Sequence, residues 1–306
     1  MSASVPPIGC WSRAGAAASL DPQGRLYRDS TDVPGQFGRH LRGAPSLTST
    51  DENVHMTGPR YWMLRSRLGP RGRRLVRRAV DVVLAPLVGS IHATGAATRA
   101  AITFDDGPDS EVTPRLLDAL DALDARCTFF VLATQARAHP ELLLAVRDAG
   151  HEIALHGDDH RRLTELDHRS AVRVLRGARH ELEQITGVRV RYYSPPYGAQ
   201  TLSSYLAARR AGLRVAVWNA DAADWSDRPV GQVVADGVDA LTAGGILLLH
   251  ERLEPDPRNG APTTSFDRSD LARQVVEGVR ARGWEPGTLH ELVMQGGARR
   301  TAWFRP

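Results

Sequence analysis

Asp105 and Asp106 stand side by side at the end of an apolar run, 100–104, and Gly107-Pro108 breaks the chain behind them. Two carboxylates this close repel unless a cation sits beside them, so the pair suggests one metal ligand and one acid or base. The same residues also read as ordinary turn chemistry. His156 and His160 lie four apart, at and beyond the end of a second run, 152–156. Two imidazoles so spaced can converge on one ion. With Asp106 they form a set of two histidines and one carboxylate that leaves positions for water and substrate. That donor set suits zinc, cobalt, nickel or iron better than magnesium, which prefers oxygen ligands. A plain pair of histidines in a polar loop with Arg161 and Arg162 is the alternative.

Three more clusters occupy the same kind of place. Ser194-Pro195-Pro196-Tyr197-Gly198 follows the run 190–193, with two prolines stiffening a loop and Gly198 freeing it. Residues 218–225, Trp-Asn-Ala-Asp-Ala-Ala-Asp-Trp, leave another run. His250 ends the strongly apolar 246–249. Alone, each reads equally well as a turn, a polar loop or a packed histidine. Together they put a polar or aromatic cluster at five successive strand ends.

The elements that position them follow from periodicity. Strands are expected at 100–104, 127–132, 152–156, 190–193, 214–219 and 245–250. Helices are expected at 112–123, 140–149, 164–186, 201–211, 229–241 and 268–282. Val112, Leu116, Leu117 and Leu120 form one apolar stripe. Alternating strand and helix predicts an α/β fold with parallel strands and outer helices. The number of units suits a barrel, whose active face lies at the strand C-terminal ends.

The 306 residues are 42% hydrophobic and 24% charged, ordinary for a globular chain. No uncharged apolar stretch reaches about 18 residues, which excludes a multi-span membrane protein. Cys10 and Cys127 are too few for a disulfide framework or a cysteine zinc site. Residues 1–98 carry 13 Arg against 6 acids (+7), and 99–306 carry 26 Arg against 29 acids (−3). The main domain is therefore not expected to bind nucleic acid. Residues 1–58 read as loop or disorder, or as sequence ahead of a start at Met56 or Met63. Residues 60–78 hold eight Arg and no acid, and an apolar stretch interrupted by Asp81 and Pro86 follows. Segment 59–97 reads as a basic lead-in helix, as a membrane-surface contact through 60–91, or as a signal-like segment. Without a clear leader the expectation is a cytoplasmic protein, or a membrane-associated or exported one if translation starts at Met56 or Met63. Residues 98–295 form the main domain and 296–306 a tail. The oligomeric state stays open.

The five clusters, in this order, resemble the motifs of the NodB-type polysaccharide deacetylases, carbohydrate esterase family 4, over about 98–295. The resemblance implies a distorted (β/α)7-type barrel, here with a loop-like basic N-terminal extension. It implies a divalent metal, zinc first, with cobalt, nickel or iron as alternatives. It implies hydrolysis of an acetyl group from an N-acetylated sugar. By the same resemblance Asp105 is the base, and Asp106, His156 and His160 hold the metal. Tyr197 offers a backbone N–H to the oxyanion. Asp224 tunes the catalytic histidine and Trp225 walls the pocket. Leu248 meets the acetyl methyl, and His250 is the acid.

Two positions depart from the family pattern. Gly157 stands where Ser or Thr is usual; Glu251, where Asp is frequent, carries little weight. Ser194 replaces an Arg that pairs with the catalytic carboxylate, and Arg189 or Arg191 is the expected substitute. Two other functions stay open: a glycan-binding relative without turnover, and a deacylase of a small amide or glycoside. A long loop at 251–266 follows His250 and is expected to cover the pocket against polymers.

Overall fold

The computed structural model describes residues 84–255, 260 and 263–305. The expectations for 1–58 and for the basic run 60–78 lie outside them. Residues 84–88 are helical and lead into β1 (Ser90–Thr94). Then come β2 (Arg99–Asp105), α1 (Val112–Asp121), β3 (Thr128–Leu132), α2 (Ala133–Ala138), α3 (Pro140–Asp148) and β4 (Glu152–Gly157). The chain continues with α4 (His168–Thr186), β5 (Tyr192–Tyr193), α5 (Leu202–Arg210), β6 (Arg214–Val215), β7 (Ala220–Asp221) and α6 (Val230–Ala240). It closes with β8 (Ile246–His250), α7 (Arg268–Ala281), β9 (Glu285–Gly287), α8 (Leu289–Gly296) and β10 (Ala298–Thr301). Local chemistry sets many of the ends. Asp167, for example, accepts the Arg169 and Ser170 N–H groups to start α4, and Gly187 at φ 70° ends it.

The main sheet has strand order β6-β5-β4-β3-β2-β8-β7, and every pairing is parallel. β9 adds to the half of β2 that β3 leaves open. β1 makes single bridges from Ile91 to Ala216, just past β6, and from Ala93 to Gly245, just before β8. One strand can touch both flanks only if the sheet curls. The expected barrel is therefore present, distorted by an opening that β1 spans.

Alternation along the strands sorts the side chains. Ile102, Phe104, Phe129, Val131, Ile153, Leu155, Leu247 and Leu249 pack outward in the core shared with the helices. Ala101, Phe130, Ala154, Tyr192, Ala216 and Ile246 point inward and meet Leu289, Leu292 and Val293 of α8. α8 thus fills the bottom of the barrel with apolar groups. Two or four residues further along the same inward rows come Asp105, His156, Ser194, Trp218, Leu248 and His250. The strand period alone therefore aims all six at one face.

Two expectations need correction. The single strand expected at 214–219 is strand only at β6, 214–215, and β7 follows just past its end. Residues 216–219 between them turn to β1 and β8, where the Val217 N–H donates to the Ile91 carbonyl and the Asn219 N–H to the Ile246 carbonyl. The domain limits 98 and 295 are too narrow, because β1 and β10 pair antiparallel from both flanks. Such a pair, two hundred residues apart, has no local signature. β9 and α8 also went unread, since both are short. Among the described residues no helix is long and apolar enough to cross a membrane.

Candidate active site

β2 ends with Asp105 inward, and the chain then turns through Asp106 at φ 76°. This left-handed backbone is costly for a residue with a Cβ and points to a constrained site. It swings the second carboxylate toward β4. Asp106 Oδ1 lies 3.3 Å from His156 Nε2 and 3.4 Å from His160 Nε2. One donor atom from each of the three lies within 4.8 Å of the others. Asp106 Oδ1 is buried and accepts no hydrogen bond. Burial, opposed by the His250 charge and the Glu254 N–H, pushes the Asp106 carboxyl up to about 6. Burial, helped by His160 and His250, holds His156 well below the ordinary imidazole range, so its ring is neutral as a ligand must be. The donor set, the orphaned oxygen and the neutral ring fit a divalent cation.

Asp105 is 2% exposed and sits beside this cluster. Its Oδ2 lies 3.5 Å from His156 Nδ1 and accepts a 3.3 Å hydrogen bond from Ser194 Oγ. A proton on Nδ1 facing Asp105 leaves the Nε2 lone pair toward Asp106. Burial, opposed by His250, pushes the Asp105 carboxyl well above the usual carboxylate range. Ser194 thus occupies the role expected of Arg189 or Arg191, and neither arginine reaches the site. Both precede β5, at the far end of the strand, where Arg191 donates to the Arg189 carbonyl. A hydrogen bond to a charged carboxylate contributes about 1.5–3 kcal/mol. Ser194→Ala is therefore expected to lower kcat for acetate release roughly 10- to 150-fold. An unchanged kcat would mean that the Ser194 bond is incidental.

His250 faces Asp105 across the β2–β8 ladder as its register partner. Its Nδ1 lies 2.7 Å from Asp224 Oδ1, and its backbone N–H donates to Oδ2 at 2.8 Å. Arg268, at the start of α7, donates to the same Oδ2 at 2.6 Å. Burial alone would raise the Asp224 carboxyl, but His250 and Arg268 outweigh it and hold it below the usual range. Burial would likewise lower His250, yet Asp224, with Asp106 and Asp105, raises it to about 9. The imidazole is thus charged at neutral pH, with Nδ1 engaged.

The first loop packs closely on a side chain of the β8 end. A Cβ on Gly107 would lie 1.7 Å from Glu251 Oε2, so a larger residue there would have to displace the Glu251 carboxylate. Glu251 is buried, accepts from the Thr113 hydroxyl, and its N–H donates to the Asp105 carbonyl at 3.0 Å. The residue after His250 thereby ties β8 to the loop carrying Asp105 and Asp106. At Gly157 a Cβ would come within 2.6 Å of the Asp159 carbonyl oxygen. That crowding accounts for glycine where the family resemblance implies Ser or Thr.

A cavity of about 450 Å³ gathers these groups. Asp105, Asp106, His156, His160, Tyr197, Trp225, Leu248 and His250 line it. Asp224 stands behind His250, wholly buried. Tyr197, at φ 58° in the Pro-Pro-Tyr-Gly turn, packs its ring 4.3 Å from that of His160. Trp225 is half exposed at the rim, and Leu248 is buried below it. Every residue singled out from the motifs is thus at this pocket or directly behind it. Trp218, Asp221, Leu253, Glu254 and Arg305 also line it and were not singled out. The first two fall inside the fourth motif and could have been named. Arg268 and Arg305 carry no signal in sequence, because only the tertiary fold brings them near. Leu253, Glu254 and Gly260 place parts of the loop 251–266 at the pocket wall.

The polysaccharide deacetylase family model matches residues 92–216. A chitooligosaccharide deacetylase of Bradyrhizobium sp. is 31% identical over 197 residues, 62% of this chain and 89% of that protein. The peptidoglycan-N-acetylmuramic acid deacetylase PdaC of Bacillus subtilis is 29% identical over 63% of this chain, which matches only 38% of PdaC's own length. Among solved structures, a T48 deacetylase with substrate superposes with a TM-score of 0.57 at 27% identity, over 67% of this chain and 94% of that one. With a relative above 30% identity matched over most of its own length, and the same motifs converging on one pocket, the chain belongs to the polysaccharide deacetylase family.

Proposed function

We propose that this protein is a metal-dependent hydrolase that removes the acetyl group from an N-acetylated sugar. The observation that carries the reading is the placement of Asp105 and His250 on paired strands, flanking the Asp106–His156–His160 cluster in one pocket. The named relatives, which are deacetylases of chitooligosaccharide and peptidoglycan, supply the substrate class. Zinc is the proposed ion.

Asp106, His156 and His160 would hold the ion. When bound, it supplies a Lewis acid and lowers the pKa of water from 15.7 to about 7. Asp105 accepts the proton of the attacking water, and Ser194 steadies the oxygen that does not take it. The acetamide carbonyl develops negative charge as its carbon becomes tetrahedral. The Tyr197 backbone N–H is assigned to that oxygen, a kind of contact that contributes about 10²–10³ in rate. His250, charged by its pairing with Asp224, gives its pocket-facing proton to the departing nitrogen. An amine leaves poorly as an anion, so this proton matters more here than in ester cleavage. Leu248 offers the apolar surface against which the acetyl methyl rests, and Trp225 covers the rim.

Acetate release tests the reading. The full chain, stripped and then loaded with zinc or cobalt, is assayed on N-acetylglucosamine oligomers and on an aryl acetate. Release that chelation abolishes and metal restores is the expected result. Metal-loaded, folded protein that releases no acetate but still binds the oligomers would favour the glycan-binding alternative.

A further inference from the structure

The segment after β10 does not trail away. Trp303 is buried, donates from Nε1 to the Gly198 carbonyl at 2.9 Å and meets the Trp218 ring edge-on at 5.4 Å. Gly198, at φ 62°, is what admits this packing, since a Cβ there would lie 2.9 Å from the Trp218 ring. The Gln200 side chain donates to the Trp303 carbonyl and exchanges hydrogen bonds with Ser90. Gln200 and Arg305 pair backbone to backbone. This pairing carries Arg305 to the pocket wall, with its guanidinium 4.4 Å over the Trp303 ring. Trp218, Asp221 and Arg305 share that wall. The Asp221 carboxylate accepts the Ala223 N–H at 2.8 Å, and Asp221 and Arg305 both line the pocket.

Arginine offers only donors and a carboxylate only acceptors, whereas a hydroxyl is both. A donor and an acceptor lining one pocket with an indole are matched to a sugar ring with neighbouring hydroxyls. We propose that Arg305 is a substrate-contacting specificity residue which, with Asp221, takes the hydroxyls of the ring whose acetamido group lies between Asp105 and His250. This rests on the deacetylase reading. It goes further by assigning sugar recognition to a residue that lies 89 positions beyond the matched family segment, which ends at 216.

The test measures binding apart from turnover. An N-acetylglucosamine trimer is titrated calorimetrically into the zinc-loaded full chain carrying Asp105→Asn, with and without Arg305→Ala. Loss of charge-assisted bonds is expected to weaken binding roughly ten-fold or more. In the otherwise native chain, Arg305→Ala should raise KM for the trimer by a similar factor, with kcat changing much less. Thermal melting should be close to unchanged, and Arg305→Lys should recover part of the affinity. Equal trimer affinity with and without Arg305 would overturn the proposal. So would a matched collapse of kcat and melting temperature, which marks a structural role. Dependence on Arg305 for an N-acetylated sugar bearing a carboxylate, with none for the neutral trimer, would replace the hydroxyl reading with an anion site. Because the titration needs no catalysis, tight Arg305-dependent binding without acetate release would refute only the deacetylase reading.

Discussion

Replacing His250 by alanine is expected to lower kcat for N-acetyl hydrolysis about 10²–10⁴-fold, the usual contribution of a positioned general acid. The geometry explains why a single ring carries so much. Asp224 holds Nδ1 at 2.7 Å and the backbone N–H at 2.8 Å, so the other nitrogen has one orientation, into the pocket. His250 is the pocket-lining imidazole that a buried carboxylate holds charged at neutral pH, while Asp105 is assigned as the acceptor. The loss should depend on the leaving group. A phenolate departs without a proton, so an aryl acetate should suffer far less than an acetamide from His250→Ala. Zinc binding, read by calorimetry, should persist because His250 lies outside the ligand cluster. An equal loss on both substrates would instead make His250 an oxyanion or structural group and would refute the acid assignment.

Asp224→Asn should produce the largest combined change in stability and pH behaviour. Asp224 is fully buried and receives hydrogen bonds from both His250 and Arg268. Its neutral replacement leaves two buried cationic groups facing an amide. Removing one partner of a buried pair costs about 3–5 kcal/mol, or roughly 6–20 °C in Tm for a domain of this size. His250 is raised to about 9 when folded, above its ordinary value of 6.5. Its pairing therefore stabilises the protein fully below pH 6.5, and the stabilisation fades as pH rises through about 9. Wild-type stability should fall across that window, and Asp224→Asn should flatten the slope. The alkaline limb of kcat follows the same group. Activity is lost as His250 gives up its proton, at or below about 9, since a bound cation opposes the Asp106 contribution. In Asp224→Asn that limb should move well toward acid. If Asp224→Asn fails to fold, adding Arg268→Met removes the stranded charge and should restore folding without restoring the alkaline limb. A limb that stays in place would show that Asp224 does not set the His250 proton.

The chemistry of this protein was legible because it is local. Asp105-Asp106, His156 with His160, Tyr197 and His250 each end a short apolar run, and a parallel fold delivers strand ends to one face. Period-two alternation then decides which side chains point in. For the same reason α4 and α7 were readable, since each carries an apolar stripe and an Asp cap in its own sequence. β1 and β10 were not, because neither is a strand except through the other.

The amino-acid sequence by itself determined the fold class, the order of the strand-end clusters and the kinds of donor each one offers. It also marked Ser194 as a departure, but it could not say what answers that departure. Only the tertiary structure decided that Ser194 itself bonds Asp105 while Arg189 and Arg191 stay at the far end of β5. Only it brought Arg268 behind Asp224, 44 residues away, and carried Arg305 to the pocket wall through Trp303 and Gln200. The reason is physical. A side chain's chemistry and its face on a strand follow from near neighbours, whereas the partner of a buried charge is whichever group the packing of distant segments leaves within hydrogen-bond reach.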